Sequence, residues 1–280
     1  MNKFFKLAAA AGLALALTAC GSSEGGSDAE SKTINVGATT SPHAVILEEA
    51  KKIMEKDGYT LNITEFSDYP NINPSTSDGS LDANYFQHQP YLDSYNADSN
   101  LAEGDDGYLV SAGSIHYEPM GVYSQEVEEV NLDNLNEGAQ IVVPNDATNE
   151  ARALLLLQDL GIITLNDDAT IDKATVADIK DNPKNVEIVE IAADQIPARL
   201  QDADVIVVNG NYALDADITD SLRAQEAADS DAAKLYANVI AVKESNKDNE
   251  AVQELVKVLK SDDIKAFIAE NFGDTVQAAQ

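Results

Sequence analysis

Tryptophan is absent from this chain, cysteine occurs once, as Cys20, and arginine occurs three times, as Arg152, Arg199 and Arg223. One thiol cannot form an internal disulfide or supply a zinc site built on several cysteines. Cationic residues are scarce as a whole, because 18 lysines and arginines stand against 49 aspartates and glutamates, for a formal net charge of −31. Nucleic-acid affinity comes largely from cations that neutralise phosphates, so this balance excludes a nucleic-acid-binding role.

Enzyme signatures are also missing from the part of the sequence expected to fold. After residue 32 there is no P-loop, no G-x-G-x-x-G, no H-E-x-x-H and no G-x-S-x-G. Paired acids such as Glu48/Glu49 and Asp167/Asp168 are predicted to be solvated surface, because a catalytic acid needs burial or a close charge to change its pKa. We therefore expect neither an enzyme nor a bound cofactor.

The first 20 residues are typical of a targeting segment. Lys3 and Lys6 precede an apolar run at 7–17, which is too short to span a bilayer, and residues 1–19 are predicted to be a signal peptide. The ending Leu-Thr-Ala-Cys resembles a bacterial lipobox, which predicts lipidation at Cys20; an ordinary secretion signal is the alternative. Residues 20–32 are rich in glycine, serine and acid, as in a flexible tether. A lipid-anchored protein on the extracytoplasmic face of the cell membrane is expected.

From residue 33 onward, short β-rich runs alternate with helical patterns, which indicates an α/β architecture with mostly parallel strands. Strands are predicted at 33–38, 61–66, 141–143, 186–191, 204–208 and 238–242, and helices at 42–56, 149–160 and 250–272. The strands form two sets. We therefore predict one lobe from 33–116 plus 237–280 and a second from 117–236, joined by a double crossover that acts as a hinge around a small ligand.

Polar and aromatic residues are concentrated in predicted loops after strands, where open α/β sheets bind their ligands. Tyr69 follows the second predicted strand, and Phe86, His88 and Tyr91 lie close together further along the chain. Their rings are suited to enclose an apolar side chain. The alternative is that two or three of these rings pack inside the first lobe.

A second group of polar residues lies in the predicted second lobe, at the start of a helix and after a strand. Arg152 is expected in the first turn of a helix, where its planar guanidinium can bind a carboxylate with two parallel hydrogen bonds. A salt bridge to Asp146 or Glu150 is the alternative. Asn209 and Asn211 follow the strand at 204–208, and their amides can accept from an ammonium or donate to a carboxylate. The combination predicts a receptor for a free amino acid.

Several of these segments occur together in a known family. EFSDYPN, GSLDANYFQHQPYL, EPMGVYS, VPNDATNEARALLLLQ, NGNYAL and YANVIAVK resemble the MetQ/NlpA family of bacterial lipoproteins, the substrate-binding components of methionine ABC importers. The resemblance extends in order from residue 34 to about 270. It implies a two-lobed, hinged periplasmic-binding-protein-like fold of type II with its ligand in the interlobe cleft, and an ABC permease and ATPase as partners.

The resemblance also implies roles for individual residues. Tyr69, Phe86, His88 and Tyr91 would line the side-chain pocket, Arg152 would hold the α-carboxylate, and Asn145, Asn149, Asn209 and Asn211 would make further polar contacts. Tyr117 is a weaker candidate near the hinge. Relatives differ in ligand, which includes L-methionine, D-methionine and methionine-containing dipeptides, and the stretch YPNINPSTSDGS is distinctive here.

Two other functions are compatible with the sequence. His43, His88 and His116, together with acids, would suffice chemically for a Zn²⁺ or Mn²⁺ receptor, although they lie in three separate segments. A surface lipoprotein without a transport role would have the same anchor and tether. Methionine binding insensitive to a chelator would argue against the metal receptor, and loss of methionine uptake on deletion would argue against the non-transport role.

Overall fold

A computed structural model describes residues 32–227 and 234–279. The predicted signal peptide at 1–19, the predicted lipidation site Cys20 and the tether up to residue 31 lie outside the described residues. Within the described ranges, no helix is both long and apolar enough to cross a bilayer.

The strands and helices are numbered along the chain. The strands are β1 (Thr33–Thr39), β2 (Thr60–Phe66), β3 (Ala83–His88), β4 (Leu109–Tyr117), β5 (Gly121–Tyr123), β6 (Gln140–Pro144), β7 (Thr164–Leu165), β8 (Ile179–Asp181), β9 (Glu187–Ile191), β10 (Val205–Val208), β11 (Leu222–Gln225), β12 (Asn238–Lys243) and β13 (Gln277–Ala278). The α-helices with described bounds are α1 (Val45–Lys56), α2 (Ile72–Ser77), α3 (Gln89–Asp98), α4 (Ala147–Asp159), α5 (Gly210–Asp215), α6 (Glu250–Leu259) and α7 (Asp262–Phe272).

The strands form two main sheets. The first has the order β13-β4-β12-β3-β1-β2, with β1 parallel to β2 and β3. The second has the order β11-β5-β10-β6-β9, with β6 parallel to β9 and β10. Only three residues separate β4 in the first sheet from β5 in the second. The chain returns to the first sheet at β12, so two connections join the sheets.

Side chains that accept hydrogen bonds from backbone N–H groups fix where several helices begin. The carboxylate of Asp146 accepts from the Asn149 N–H at the start of α4. Asn249 accepts from two N–H groups of α6, and Ser261 accepts from the Ile264 N–H of α7. Such caps satisfy donors that have no partner within the helix and contribute about 1 kcal/mol each.

Each sheet has its own hydrophobic core. The first core includes Val36 and Leu47 and is completed by the final helices, with Leu255 and Ile268 fully or almost fully buried. The second core is built around β6 and α4, and Leu154 is fully buried there. A third cluster mixes residues from the two halves of the chain, because Tyr69 and Phe86 pack with Tyr212 and Val208. The two halves therefore meet at an aromatic interface.

The structure agrees with the predicted strands at 33–38, 61–66 and 204–208 to within about two residues, but it corrects two local predictions that bear on the site. Phe86 and His88 were expected in a loop, and they lie instead on β3, all of whose residues are buried. Arg152 was expected in the first turn of its helix. Because α4 begins at Ala147, Arg152 lies in the second turn and cannot use the free N–H groups of the helix start.

Candidate ligand-binding site

A pocket lies where the carboxyl ends of parallel strands from the two sheets face each other. Tyr69 follows β2, His88 ends β3, Asn149 follows β6, and Asn209 follows β10. The residues that line the pocket are Tyr69, Phe86, Gln87, His88, Tyr91, Glu118, Asn149, Arg152, Asn209, Gly210, Asn211 and Asn238. Eight of the nine predicted ligand-binding residues are therefore brought together. The exception is Asn145, which is exposed and lines a separate outer cavity.

Aromatic rings form one wall of the pocket. The ring of Tyr69 lies 5.5 Å from Phe86, 5.7 Å from Tyr91 and 4.8 Å from Tyr212, measured between centroids. Burial raises the pKa of the Tyr69 and Tyr91 hydroxyls above their usual range, so both stay protonated and can donate hydrogen bonds. This wall is suited to an apolar, polarisable side chain.

Three asparagines form the opposite wall, and they leave two polar atoms without partners. Tyr69 donates to Oδ1 of Asn211 at 2.5 Å, and Nδ2 of Asn209 donates to Oδ1 of Asn149 at 2.8 Å. Among the described residues, Oδ1 of Asn209 and Nδ2 of Asn211 are buried without a hydrogen-bond partner. A buried polar atom left unsatisfied costs about 1–3 kcal/mol. The site therefore presents one free acceptor and one free donor to a ligand.

The orientation of Asn149 is fixed by its neighbours. Its Nδ2 donates to the carboxylate of Asp146 at 2.9 and 3.1 Å, which leaves Oδ1 to face the pocket. His88 lies 3.1 Å from that oxygen through Nε2, and its Nδ1 accepts the Tyr91 N–H at the start of α3. Burial and the charge of Arg152 lower the pKa of His88 to about 3. The neutral ring therefore donates from Nε2 to Asn149 across the cleft.

Arg152 is 3% exposed, and part of its guanidinium already binds a carboxylate of this chain. Nε and Nη2 donate to Glu226 at 2.7 and 2.5 Å, and Nη2 also donates to the backbone carbonyl of Glu118 at 2.8 Å. The guanidinium lies 4.3 Å from the ring centroid of Tyr236. The third nitrogen, Nη1, binds neither Glu226 nor that carbonyl.

This arrangement corrects the sequence-based account of Arg152. The alternative partners named from sequence were Asp146 and Glu150, and the partner in the structure is Glu226. Burial alone would raise the pKa of Glu226, but Arg152, the Met120 N–H and the Tyr117 hydroxyl together hold it below its usual range. A two-bond clamp on a ligand through the Nε edge is therefore precluded while Glu226 is in place.

Glu118 is a pocket residue that sequence reasoning did not single out. It lies between β4 and β5 and is 5% exposed. Nε2 of His116 lies 2.7 Å from its Oε1, and Nε2 of His43 lies 3.3 Å from the same oxygen. Burial raises the pKa of Glu118, whereas His43, Arg152 and the Asn211 backbone N–H act to lower it. The signal in the sequence was the EPMGVYS segment, but in a chain with 49 acids no composition rule distinguishes this one.

The three histidines considered as a metal site do not converge. His43, His116 and Glu118 lie close enough to share an ion, whereas His88 is not part of that group and binds Asn149 instead. The nitrogens of His43 and His116 already have hydrogen-bond partners on both sides of each ring, including Thr39 and Asn238 for His43. The donor set predicted from sequence is therefore not assembled within the described residues.

Asn238, like Gln87, is a further polar pocket residue that the sequence did not reveal as functional. It begins β12 at the second connection between the sheets, and its Oδ1 lies 3.1 Å from Nε2 of His43. From sequence it was simply the first residue of an apolar strand. Its position in the pocket depends on the antiparallel pairing of β12 with both β3 and β4, which local patterns do not specify.

Comparisons with known proteins agree with the geometry. The family model described as NlpA lipoprotein matches residues 34–280. The methionine-binding lipoprotein MetQ of Bacillus subtilis is 36% identical over 278 residues, which cover 99% of this chain and 98% of that protein.

Solved structures show the same fold. A nutrient-binding protein from Burkholderia cenocepacia, bound to methionine, has a TM-score of 0.81 and 40% identity, covering 88% of this chain and 100% of that one. A periplasmic substrate-binding protein of an ABC transporter from Coxiella burnetii has a TM-score of 0.79 and 36% identity, with 88% and 100% covered. The architecture is thus a two-lobed periplasmic-binding fold, and the chain belongs to the NlpA lipoprotein family.

Proposed function

We propose that this protein binds free methionine on the extracytoplasmic face of the cell membrane and delivers it to an ABC import permease with its ATPase. The observation that supports this most directly is the pair of unpartnered atoms, Oδ1 of Asn209 and Nδ2 of Asn211, opposite an aromatic wall. A free acceptor and a free donor match the ammonium and carboxylate of an amino acid. The rings match an apolar side chain.

The ligand-binding residues in this proposal come from both lobes. From the first lobe, Tyr69, Phe86, His88 and Tyr91 surround the side chain. From the second, Asn149, Arg152, Asn209 and Asn211 bind the polar end, with Arg152 contributing Nη1 in addition to its positive charge. Asn238 and Gln87 complete the lining. Asn145 is left out of the proposed site because it lies in the outer cavity.

Methionine fits the aromatic wall better than a smaller amino acid does. Its thioether is flexible and polarisable, and contacts between sulfur and aromatic rings are worth about 0.3–1.5 kcal/mol. The rings of Tyr69, Phe86 and Tyr91 lie within 5.7 Å of one another, so a long unbranched side chain contacts several of them at once. The methionine-bound relative from Burkholderia cenocepacia supports the same choice.

The transport role rests on the two-lobed fold together with the N-terminal sequence. We place the lobe boundaries at 116/117 and 236/237, near the two connections between the sheets, so that the lobes hinge around the ligand. Cys20 would be lipidated after removal of residues 1–19, and residues 20–32 would tether the binding protein to the membrane. Relatives named as lipoproteins and as an ABC transporter's substrate-binding protein support this arrangement.

Isothermal titration calorimetry of the purified chain tests the proposal. We expect saturable binding of L-methionine that is unchanged by a chelator, with D-methionine and a methionine-containing dipeptide measured in parallel to rank the ligands. Binding that requires added Zn²⁺ or Mn²⁺ would favour the metal receptor instead. Normal methionine uptake in cells that lack the gene would favour a surface lipoprotein without a transport role.

A further inference from the structure

Glu118 is a buried carboxylate that faces the ligand pocket without a cationic side chain bound to it. Among the described residues, the only basic side chains within ion-pair distance of it are His43 and His116. Arg152 is close enough to influence its charge, but the hydrogen bonds of Arg152 go to Glu226 and to the backbone carbonyl of Glu118. Burial of an ionised carboxylate is costly unless a cation and hydrogen bonds compensate it. Burial accordingly raises the pKa of Glu118, and a cation brought by a ligand would favour its ionised form.

The two histidines are suited to donate hydrogen bonds without supplying a positive charge. Burial lowers the pKa of His43 to about 4 and that of His116 to about 3, so both rings are neutral near pH 7. Nδ1 of His43 lies 2.7 Å from the Thr39 hydroxyl, and Nδ1 of His116 contacts the Tyr85 hydroxyl. With Nδ1 accepting from a hydroxyl, each Nε2 carries the hydrogen. Nε2 of His116 donates it to Oε1 of Glu118, whereas Nε2 of His43 donates it to Oδ1 of Asn238 and lies 3.3 Å from Oε1 of Glu118.

The carboxylate is also fixed by its packing. The backbone N–H of Asn211 acts to lower its pKa. A Cβ at Gly210 would lie 3.0 Å from Oε2 and 3.1 Å from Cβ of Glu118, so the glycine allows Glu118 to lie directly against the start of α5. Oδ1 of Asn209, the unpartnered acceptor, belongs to the preceding residue. The two acceptors, the Glu118 carboxylate and Oδ1 of Asn209, therefore come from segments that pack against each other at Gly210.

We propose that Glu118 receives the ammonium group of the ligand, and that His116 is a positioning residue that holds its carboxylate toward the pocket through a neutral N–H donor. This inference rests on the proposed function and deepens it. It defines the ligand class by a free, protonated amino group, since an N-acylated methionine has no positive charge to compensate Glu118. Arg152, the cationic side chain in the pocket lining, is already paired with Glu226.

A cycle of two ligands and two proteins tests the ammonium pairing. L-methionine and 4-(methylsulfanyl)butanoic acid, which lacks only the amino group, are titrated calorimetrically into the full chain and into the Glu118→Gln variant. We expect the variant to lose about 30-fold or more in affinity for methionine, the range measured when one partner of a buried charge pair is removed, and to change little for the deaminated acid. Equal losses for the two ligands, or no loss for methionine, would overturn the pairing.

The controls distinguish a failure of this inference from a failure of the proposed function and from misfolding of a variant. If the unaltered chain fails to bind methionine, the proposed function itself is wrong, whatever the variants do. Glu150→Gln, at a buried glutamate of α4 that does not line the pocket, should leave the affinities for both ligands unchanged.

An unfolded Glu118→Gln variant would lose both ligands. Gly210→Ala then provides a second test, because its added Cβ displaces Glu118 while keeping the carboxylate. That variant should also lose affinity for methionine but not for the deaminated acid.

The positioning role has its own readout. His116→Phe removes the donor to Glu118, and His116→Gln retains an N–H group near the position of Nε2. We expect the ratio of the affinities for methionine and for the deaminated acid to fall about tenfold in the phenylalanine variant, as for loss of a hydrogen bond to a charged group, and to be largely restored in the glutamine variant. A ratio unchanged in both variants would overturn the role. Loss of methionine binding on chelation would overturn it too, since the histidines would then be ligands of an ion.

Discussion

Arg152 illustrates how one residue can serve both the fold and the ligand. It joins α4 to Glu226 near the second connection between the sheets, and it also lines the pocket. Its scarcity in the sequence made it a candidate for carboxylate binding, but sequence gave no means of choosing its partner, because Glu226 lies 74 positions away. Only the folded chain reveals that one edge of the guanidinium is occupied.

The first prediction at this scale separates those two roles. Arg152→Met should lower the free energy of unfolding by about 3–5 kcal/mol, because Glu226 would remain largely buried without its cation. The double variant Arg152→Met/Glu226→Gln should recover much of that loss in urea unfolding experiments, since no uncompensated charge is left. Methionine affinity should stay low in both. A double variant that binds methionine as tightly as the unaltered chain would show that Arg152 is purely structural.

Phe86 permits a second prediction, about selectivity. Phe86→Ala removes a ring that contacts both Tyr69 and Tyr91, so the loss of affinity should be about tenfold or more larger for methionine than for alanine, whose side chain does not reach the rings. Competition titrations with the two amino acids measure this. The matched variant Phe267→Ala, on α7 and in the first core, should leave the selectivity unchanged. The same loss for both amino acids at Phe86 would indicate a folding defect instead.

At the scale of elements, α4 positions much of the polar wall, since it provides Asn149 and Arg152 and is capped by Asp146. Glu150, an acid in its first turn, is 5% exposed and accepts the Val176 N–H at 3.0 Å. Burial and the nearby Glu190 together raise the pKa of Glu150 to about 7, against the effect of the Val176 bond. In the folded state Glu150 therefore keeps its proton up to about pH 7.

This shift predicts a pH-dependent stability. The folded state binds a proton at Glu150 up to about pH 7, whereas the unfolded state releases it near the ordinary value of 4.5. Stability from this group is thus complete below about pH 4.5 and is lost as the pH rises through about 7. Urea unfolding at pH 5, 6 and 8 should show this component in the unaltered chain and not in Glu150→Gln. If the two proteins lose stability in parallel over this range, the assignment to Glu150 is wrong.

The elements also show which parts of the fold were predictable. β1 and β10 follow from local apolar runs, and α4 follows from its helical spacing. β3 was missed because Asn84 and Gln87 interrupt the apolar pattern; both are buried, and the amide of Asn73 satisfies them. β11 and β13 were missed because short edge strands depend on their partners rather than on their own residues. In the site, the sequence motifs predicted most of the lining residues, whereas Glu118 and Asn238 could be recognised only from the tertiary structure.

At the scale of the whole molecule, direct contacts join the two lobes across the pocket. Tyr69 of the first lobe donates to Asn211 of the second, and His88 donates to Asn149 in the same direction. The aromatic cluster of Tyr69 and Tyr212 crosses the same interface. These contacts define a closed arrangement of the lobes. Two neutral hydrogen bonds contribute only about 0.5–1.5 kcal/mol each, so they stabilise closure modestly by themselves.

Because the lobes' own contacts stabilise closure only modestly, we expect the ligand to shift the chain toward the closed form. A ligand that fills the pocket adds contacts to both lobes at once, and it can favour closure only by the difference in its affinity for the closed and open forms. We expect small-angle scattering of the ligand-free chain to give a larger radius of gyration than the methionine complex. Tyr69→Phe, which loses the bond to Asn211 but keeps the ring, should need more methionine to reach the compact form. Identical scattering with and without methionine would contradict hinged closure, because the lobes would then be fixed by their own interface.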